Sequence, residues 1–241
     1  VVSIAIAPRD VVREGQPLIE LAVAEHGDDD SAAAAAIDLD RVRPDLQAFF
    51  DRAALIDDAS RPAAVAKRHK LGMRTARENV ADLLDPDSFI EYGAFAVAAQ
   101  RTRRSLDDLM KNTPADGLIT GIGTVNAATS SDPDRTRVAV MAYDYTVLAG
   151  TQGTLNHKKS DRLLELAAEW KLPIVLFSEG GGGRPGDTDK HGVSGLDTTT
   201  FHRFARLSGV SPRVGINAGR CFAGNAALLG SADVIIATAN S

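Results

Sequence analysis

A single cysteine, Cys221, stands among 241 residues. That scarcity excludes an internal disulfide and any zinc site built from cysteines, and it suits a reducing compartment. The cytoplasm is therefore the expected location. Positive charge is not in excess: the formal net charge is −5, so the chain offers no basic footprint and nucleic acid is not an expected partner. No apolar run approaches the ~18 residues of a membrane span. Nothing near Val1 has the charged-then-apolar form of a signal peptide. His26, His69, His157, His191 and His202 are scattered, and none pairs with another at metal-ligand spacing, so no metal is expected. There is no glycine-x-serine-x-glycine elbow, and Gly186 is followed by Asp187 where a nucleotide-hydrolase phosphate loop would have lysine. No lysine precedes Lys67. These absences leave a chain without an obvious side-chain nucleophile.

What is present is ordinary globular material, 44% hydrophobic, 24% charged and 5% aromatic. That is enough for one large domain with flanking segments. The organising stretch is Ser178-Glu179-Gly180-Gly181-Gly182-Gly183-Arg184-Pro185-Gly186-Asp187-Thr188-Asp189. Leu172 to Phe177 before it reads as a buried strand. Four glycines then leave bare backbone that a ligand can approach, with N–H groups free to point at it. Arg184 closes the run with a rigid cationic fork. An arbitrary glycine run is more often a flexible loop. Here it follows a buried strand, where open α/β sheets place their ligands. A second glycine cluster, Gly219-Arg220-Cys221-Phe222-Ala223-Gly224-Asn225, follows a second such strand.

Along the chain, Val1 to Ala22 alternates in short β-like runs, at Ile4 and Ile6, at Val11-Val12 and at Leu18 to Leu21. Strands this short cannot hold a core alone. His26 to Ile37 sets acidic residues beside five alanines and reads as a linker. Helical spacing runs through Leu39 to Leu55, Val65 to Lys70 and Thr75 to Leu84, the last opened by a Thr75/Glu78 capping box. Lys67 to Arg77 carries five lysine and arginine side chains around Gly72. It is either a solvated basic face or a polyphosphate site beside a helix start. Phe89 to Ala99 predicts one or two strands, and Leu106 to Met110 a short helix. Asp116 to Val125 and Val138 to Tyr143 predict strands joined by a polar hairpin loop. Gly121-x-Gly123 is not a dinucleotide fingerprint, because Asn126 stands at the third glycine and no helix opens there. Asn156 to Trp170 and Phe201 to Leu207 predict helices. Val214 to Ala218 predicts a strand, Ala223 to Leu229 a helix, and Asp233 to Ala237 a last strand. Asp187-Thr188-Asp189 reads as flexible. Right-handed crossovers stack such units into a layered α/β superhelix. Both ends open directly into strand-like sequence, which predicts a piece of a longer polypeptide.

Five ordered motifs carry a resemblance. They are Lys67-x-His69-x-x-Gly72-x-x-Thr75-Ala76-Arg77-Glu78; Leu83-Leu84-Asp85-Pro86-x-Ser88-Phe89-x-Glu91; Asp116-Gly117-x-Ile119-Thr120-Gly121-x-Gly123; Asp144-Tyr145-Thr146-Val147; and the glycine loop ending at Arg184. From Arg61 to Ser241 the chain resembles the amino-terminal half of the carboxyltransferase component of biotin-dependent acyl-CoA carboxylases. The start, with Pro8-x-Asp10-x-Val12 and Glu14-Gly15-Gln16-x-Leu18, resembles the last strands of a biotinyl or lipoyl carrier domain. Its modified lysine would lie upstream of Val1.

The resemblance implies a crotonase-like fold of layered ββα units. It divides the chain into a carrier remnant at 1–22, a linker at 23–37, a helical lead-in at 38–112 and a truncated crotonase-like core at 113–241. It implies transfer of a carboxyl group from carboxybiotin to the α-carbon of an acyl-CoA, with no metal and no side-chain nucleophile. Ala223-Gly224-Asn225-Ala226 matches the family's alanine-glycine-glycine-alanine oxyanion motif, with Asn225 in place of the second glycine. Gly224 and Asn225 are thereby implied as main-chain oxyanion donors. Gly181, Gly182, Gly183 and Arg184 are implied to shape the acyl-CoA side, and Lys67, Arg68, Arg74 and Arg77 to meet the phosphates of coenzyme A. The implied partners are a biotinyl carrier domain, a carboxy-terminal transferase half and further copies in a homo-oligomer. Three other readings stay open: a biotin-dependent acyl-CoA decarboxylase, a coenzyme A-binding hydratase using Glu179, and a non-catalytic assembly module.

Overall fold

The computed structural model describes residues 3–23, 38, 40–189, 198–239 and 241. The linker expected at His26 to Ile37 lies outside them. The chain divides into two compact units, Val1–Arg43 and Pro44–Ser241.

In the first unit β1 (Ser3–Ile4) pairs antiparallel with β2 (Ile19–Glu20). The strand expected at Val11-Val12 is absent, and both valines are exposed. None of this unit's described residues is buried.

The second unit opens with α1 (Pro44–Ala54), α2 (Pro62–Lys70) and α3 (Ala76–Leu83). The capping box forms as its sequence predicts: Thr75 Oγ1 accepts from the Glu78 N–H at 3.1 Å, and the Glu78 carboxylate accepts from the Thr75 N–H at 2.8 Å. Only β3 (Ile90–Glu91) forms within the stretch 89–99. Then follow α4 (Leu106–Asn112), β4 (Leu118–Thr124), β5 (Arg137–Tyr143), α5 (Thr154–Trp170), β6 (Ile174–Gly181), α6 (Thr200–Ala205), β7 (Arg213–Phe222), α7 (Ala223–Gly230) and β8 (Val234–Ala237). Strands β3 to β8 make one six-stranded sheet in chain order. It is antiparallel from β3 to β5 and parallel from β5 to β8.

Alternation along the strands divides the core between two faces. Ala139, Met141 and Tyr143 of β5 and Ile174 and Leu176 of β6 pack under Leu163, Leu164 and Ala167 of α5, with Phe204 and Leu228. Val138, Val140, Ala142, Val175 and Phe177 face Ala76 and Val80 of α3. A sheet covered on both faces buries near-continuous apolar runs, which is why β5 and β6 were readable. Two strands run past their expected ends. Gly180 and Gly181 belong to β6, pairing with Cys221 and Phe222 of β7 after a register shift between Ser178 and Gly180. Both glycine clusters thus begin inside the sheet. Asp187-Thr188-Asp189 is tied down: Asp187 accepts from the Thr154 N–H at 2.8 Å, and Asp189 from the N–H groups of Arg101 and Thr102 at 2.9 and 3.1 Å. No described helix is long and apolar enough to cross a membrane.

Candidate active site

The carboxyl ends of β5, β6 and β7 meet at one edge of the parallel sheet. Strand β7 passes into α7 without a loop. Phe222 is extended, and Ala223 begins the helix at φ 45°. No side chain caps this helix start, and among the described residues no hydrogen bond takes the Gly224 or Asn225 N–H out of the helix. First-turn N–H groups have no intrahelical acceptor, and the helix dipole adds partial positive charge to them. They can hold an oxyanion. The end of β6 lies tight against this turn. Gly181 sits at φ 136°, and a side chain there would run into the Phe222 carbonyl. A side chain on Gly224 would run into Gln152 Oε1.

Asn225 is fully buried. Its Nδ2 donates to the Gly150 carbonyl at 2.9 Å and to the Glu179 carbonyl at 2.7 Å. Those bonds fasten the first turn of α7 to the end of β6 and to the loop after β5. Its Oδ1 is buried and has no hydrogen-bond partner among the described residues. The amide does not project as a donor toward a ligand, which agrees with reading Asn225 as acting through its main chain. Ser178 Oγ lies beneath, 3.1 Å from the Asn225 carbonyl and 3.0 Å from Cys221 Sγ. Burial pushes the Cys221 thiol up, so it stays protonated near neutrality.

Arg184 spends its guanidinium inside the fold. It pairs with Asp116 Oδ1, donates to the Thr151 carbonyl at 2.7 Å, and lies 3.6 Å from Asp187. Asp116 Oδ2 accepts from the Asn156 N–H of α5 at 2.6 Å. Burial raises the Asp116 carboxyl while Arg184 pulls it down. Its role is to hold the glycine loop. Gln152, missed from the sequence, helps: its N–H donates to Gly182 and its carbonyl accepts from Arg184, both at 2.9 Å. A polar residue set between glycines after a buried strand, Thr151-Gln152-Gly153, was the available signal.

The basic stretch divides. Arg68 is buried and grips both oxygens of Glu179, at 2.6 and 2.7 Å, while also holding the Arg74 carbonyl at 2.8 and 3.1 Å. Arg77 pairs with Glu91 at 3.0 Å and donates to the Ile56 carbonyl at 2.8 Å. Both build the fold. Arg74 is largely exposed and paired to Asp82 at 2.6 Å, and Lys67 is exposed. An open depression of about 650 Å³ lies here, lined by His69, Gly72, Met73, Arg74, Glu78, Ala81 and Asp82. Among the described residues no cluster of three or more histidine, cysteine, aspartate or glutamate side chains could hold a metal.

The carboxyl transferase domain pattern matches residues 67–241, well over half of the chain. The chain belongs to the carboxyl transferase domain family. The propionyl-CoA carboxylase beta chain of Saccharopolyspora erythraea is 35% identical over 164 residues, covering 67% of this chain and 27% of that protein. A single-chain, multi-domain long-chain acyl-CoA carboxylase superposes with TM-score 0.77 at 58% identity, over 82% of this chain and 19% of that one. The transcarboxylase 12S hexamer with hydrolysed methylmalonyl-CoA bound superposes with TM-score 0.63 at 32% identity, over 79% of this chain and 34% of that one. The α/β crotonase-like fold expected from the motifs is therefore the observed one. The chain spans about a third or less of the length of the curated relatives it matches.

Proposed function

We propose that this chain is the amino-terminal half of a carboxyltransferase that moves a carboxyl group between biotin and the α-carbon of an acyl-CoA. The observation that carries the reading is the uncapped start of α7, packed against the glycine-bearing end of β6. Biotin, attached to a carrier domain, would supply the carboxyl group and accept the acyl α-proton at its ureido nitrogen. The chain's own work is electrostatic. The N–H groups of Gly224 and Asn225 hold an oxygen on which negative charge develops, in a setting fixed before the reaction. Gly181, Gly182 and Gly183 form the acyl-CoA wall, and the Arg184–Asp116 pair keeps that wall in place. Lys67 and Arg74 meet the coenzyme A phosphates at the helix face, while Arg68 and Arg77 position the segment that carries them. A carboxy-terminal transferase half would complete the site.

Residues 1–22 are proposed as the tail of a biotinyl carrier domain. Their lack of lysine predicts no label on an avidin blot of this chain. A labelled band would refute the carrier assignment.

The hydratase reading is disfavoured by Glu179. Both of its carboxylate oxygens are taken by Arg68, so Glu179 is not a free acid or base beside the glycines. Two measurements test the proposal. Calorimetry of propionyl-CoA against the chain should show binding that weakens with salt. Isotope exchange between malonyl-CoA and biotin should appear when a carboxy-terminal half is added. Absence of both would overturn the reading.

A further inference from the structure

We propose that Arg68 is a positioning residue for the start of α7. It acts without touching substrate, by clamping the end of β6 through Glu179 and so setting where the first N–H groups of the helix point. The inference rests on the carboxyltransferase reading, and it gives one cation of the basic stretch a task other than phosphate binding.

The clamp has three links. The first joins α2 to β6. Arg68 is 5% exposed, and its Nη1 and Nη2 donate to the two oxygens of Glu179 at 2.6 and 2.7 Å. A bidentate fork of this kind fixes the direction of the carboxylate as well as its distance. The second link is Glu179 itself. Its carboxylate is held by Arg68, and its carbonyl accepts from Asn225 Nδ2 at 2.7 Å. One residue is thereby tied to α2 by its side chain and to the first turn of α7 by its main chain. The third link is Asn225, whose Nδ2 also donates to the Gly150 carbonyl at 2.9 Å. The main-chain N–H of this same residue is one of the two proposed oxyanion donors. Arg68 Nε and Nη2 meanwhile donate to the Arg74 carbonyl at 3.1 and 2.8 Å, so the guanidinium is engaged inside the fold along both edges.

The place of Glu179 in the sheet explains why a clamp is needed there. Ser178 pairs with Asn217 and Gly180 with Cys221, so Glu179 stands against Ala218, Gly219 and Arg220. The ladder is interrupted at this residue, and regular pairing does not set its orientation. The carboxylate lies over Gly219, where any side chain would overlap Oε1. The next two residues abut backbone: a side chain on Gly180 would run into the Ala149 carbonyl, and one on Gly181 into the Phe222 carbonyl. Phe222 immediately precedes α7, so a shift of Glu179 is passed to the helix start with no gap to absorb it.

The experiment replaces the buried pair by an apolar one. Arg68→Met/Glu179→Met removes both charges, which leaves no unpaired carboxylate in the interior, and such exchanges are often neutral for stability. Arg68→Lys keeps the charge and loses the fork. Hydrogen exchange in this chain, followed by NMR, gives the first reading. The Asn225 side-chain amide protons should exchange about tenfold faster or more in the double variant, the worth of one weakened hydrogen bond. The core amides of Met141 and Leu163, which report global opening, should stay near their parent rates. Isotope exchange between malonyl-CoA and biotin, in the enzyme assembled with a carboxy-terminal half and well below Tm, gives the second. Its kcat should fall about ten- to hundredfold, the cost of misplacing a reacting group by about 1 Å. The acyl-CoA KM should stay close to the parent value, and Arg68→Lys should lie between parent and double variant. A double variant with the parent kcat overturns the proposal. So does one whose KM rises more than its kcat falls, which is the mark of a phosphate ligand. Unchanged exchange at the Asn225 amide overturns it as well. If the double variant does not fold, the same criteria apply to Arg68→Lys. If the parent assembly shows no isotope exchange, the carboxyltransferase reading fails, and the hydrogen-exchange result alone decides whether Arg68 fastens the α7 start.

Discussion

Asn225→Gly restores the residue that the oxyanion motif ordinarily carries, and the structure predicts that it unsettles the fold far more than the chemistry. In the parent, Asn225 Nδ2 supplies two buried carbonyls, those of Gly150 and Glu179. Removing the amide leaves both short of a donor, at about 1–3 kcal/mol each. Glycine within the first turns of a helix adds roughly 0.5–1 kcal/mol. Part of this is offset, because the partnerless Oδ1 disappears with the side chain. The net expectation is about 2–5 kcal/mol of destabilisation. In a unit of this size each kcal/mol moves Tm by about 2–4 °C, so calorimetry should show a fall of roughly 5–15 °C. Catalysis should respond differently. The proposed donors are main-chain N–H groups, which glycine retains. Isotope exchange in the assembled enzyme, measured well below the new Tm, should lose less than about tenfold in kcat, against 10²–10³ for loss of a true oxyanion donor. Asn225→Asp gives the contrast, since it sets a carboxylate against both carbonyls and should destabilise more than glycine. A Tm change under about 2 °C in Asn225→Gly would refute the fastening role. A hundredfold loss of kcat with acyl-CoA binding intact would refute the main-chain assignment.

Arg184→Ala leaves the Asp116 carboxyl buried without its cation, and thermal or urea unfolding should register a loss of about 3–5 kcal/mol. Arg184→Lys should recover only part, because an ammonium cannot reach Asp116 and the Thr151 carbonyl as the fork does. Charge reversal at Arg74, which is exposed, should raise the acyl-CoA KM more than it lowers kcat and flatten the salt dependence of binding; an unchanged KM would return this face to solvent. Lys159, buried against the Ala115 and Leu118 carbonyls, has its pKa pushed down to about 8 by burial. Its folded pKa lies below the unfolded one, so its penalty is full below pH 8 and is relieved as pH rises. Stability should therefore climb between about pH 8 and 9, before Cys221 and Tyr143, both raised by burial, oppose it. Lys159→Met should abolish the climb in pH-dependent urea midpoints.

Much of the fold was legible because it rests on local signals. Strands β5 and β6 are apolar on both faces, and the cap of α3 is written in four adjacent residues. The uncapped start of α7 was legible for the same reason, as a glycine-bearing turn between a strand and a helix. The fate of each cation was not. Lys67, Arg68, Arg74 and Arg77 form one charge pattern, yet the fold divides them between solvent and core according to carboxylates far along the chain, Glu179 for Arg68 and Glu91 for Arg77. Arg184 meets Asp116 in the same way. Charge density within a segment says nothing about such partners, because they are set by which strands and helices become neighbours. Gln152 was not legible either, because its neighbours Tyr143 and Gly224 come together only in the fold. In this chain the internal pairs shape the surroundings of the uncapped α7 start, where the proposed oxyanion would be held.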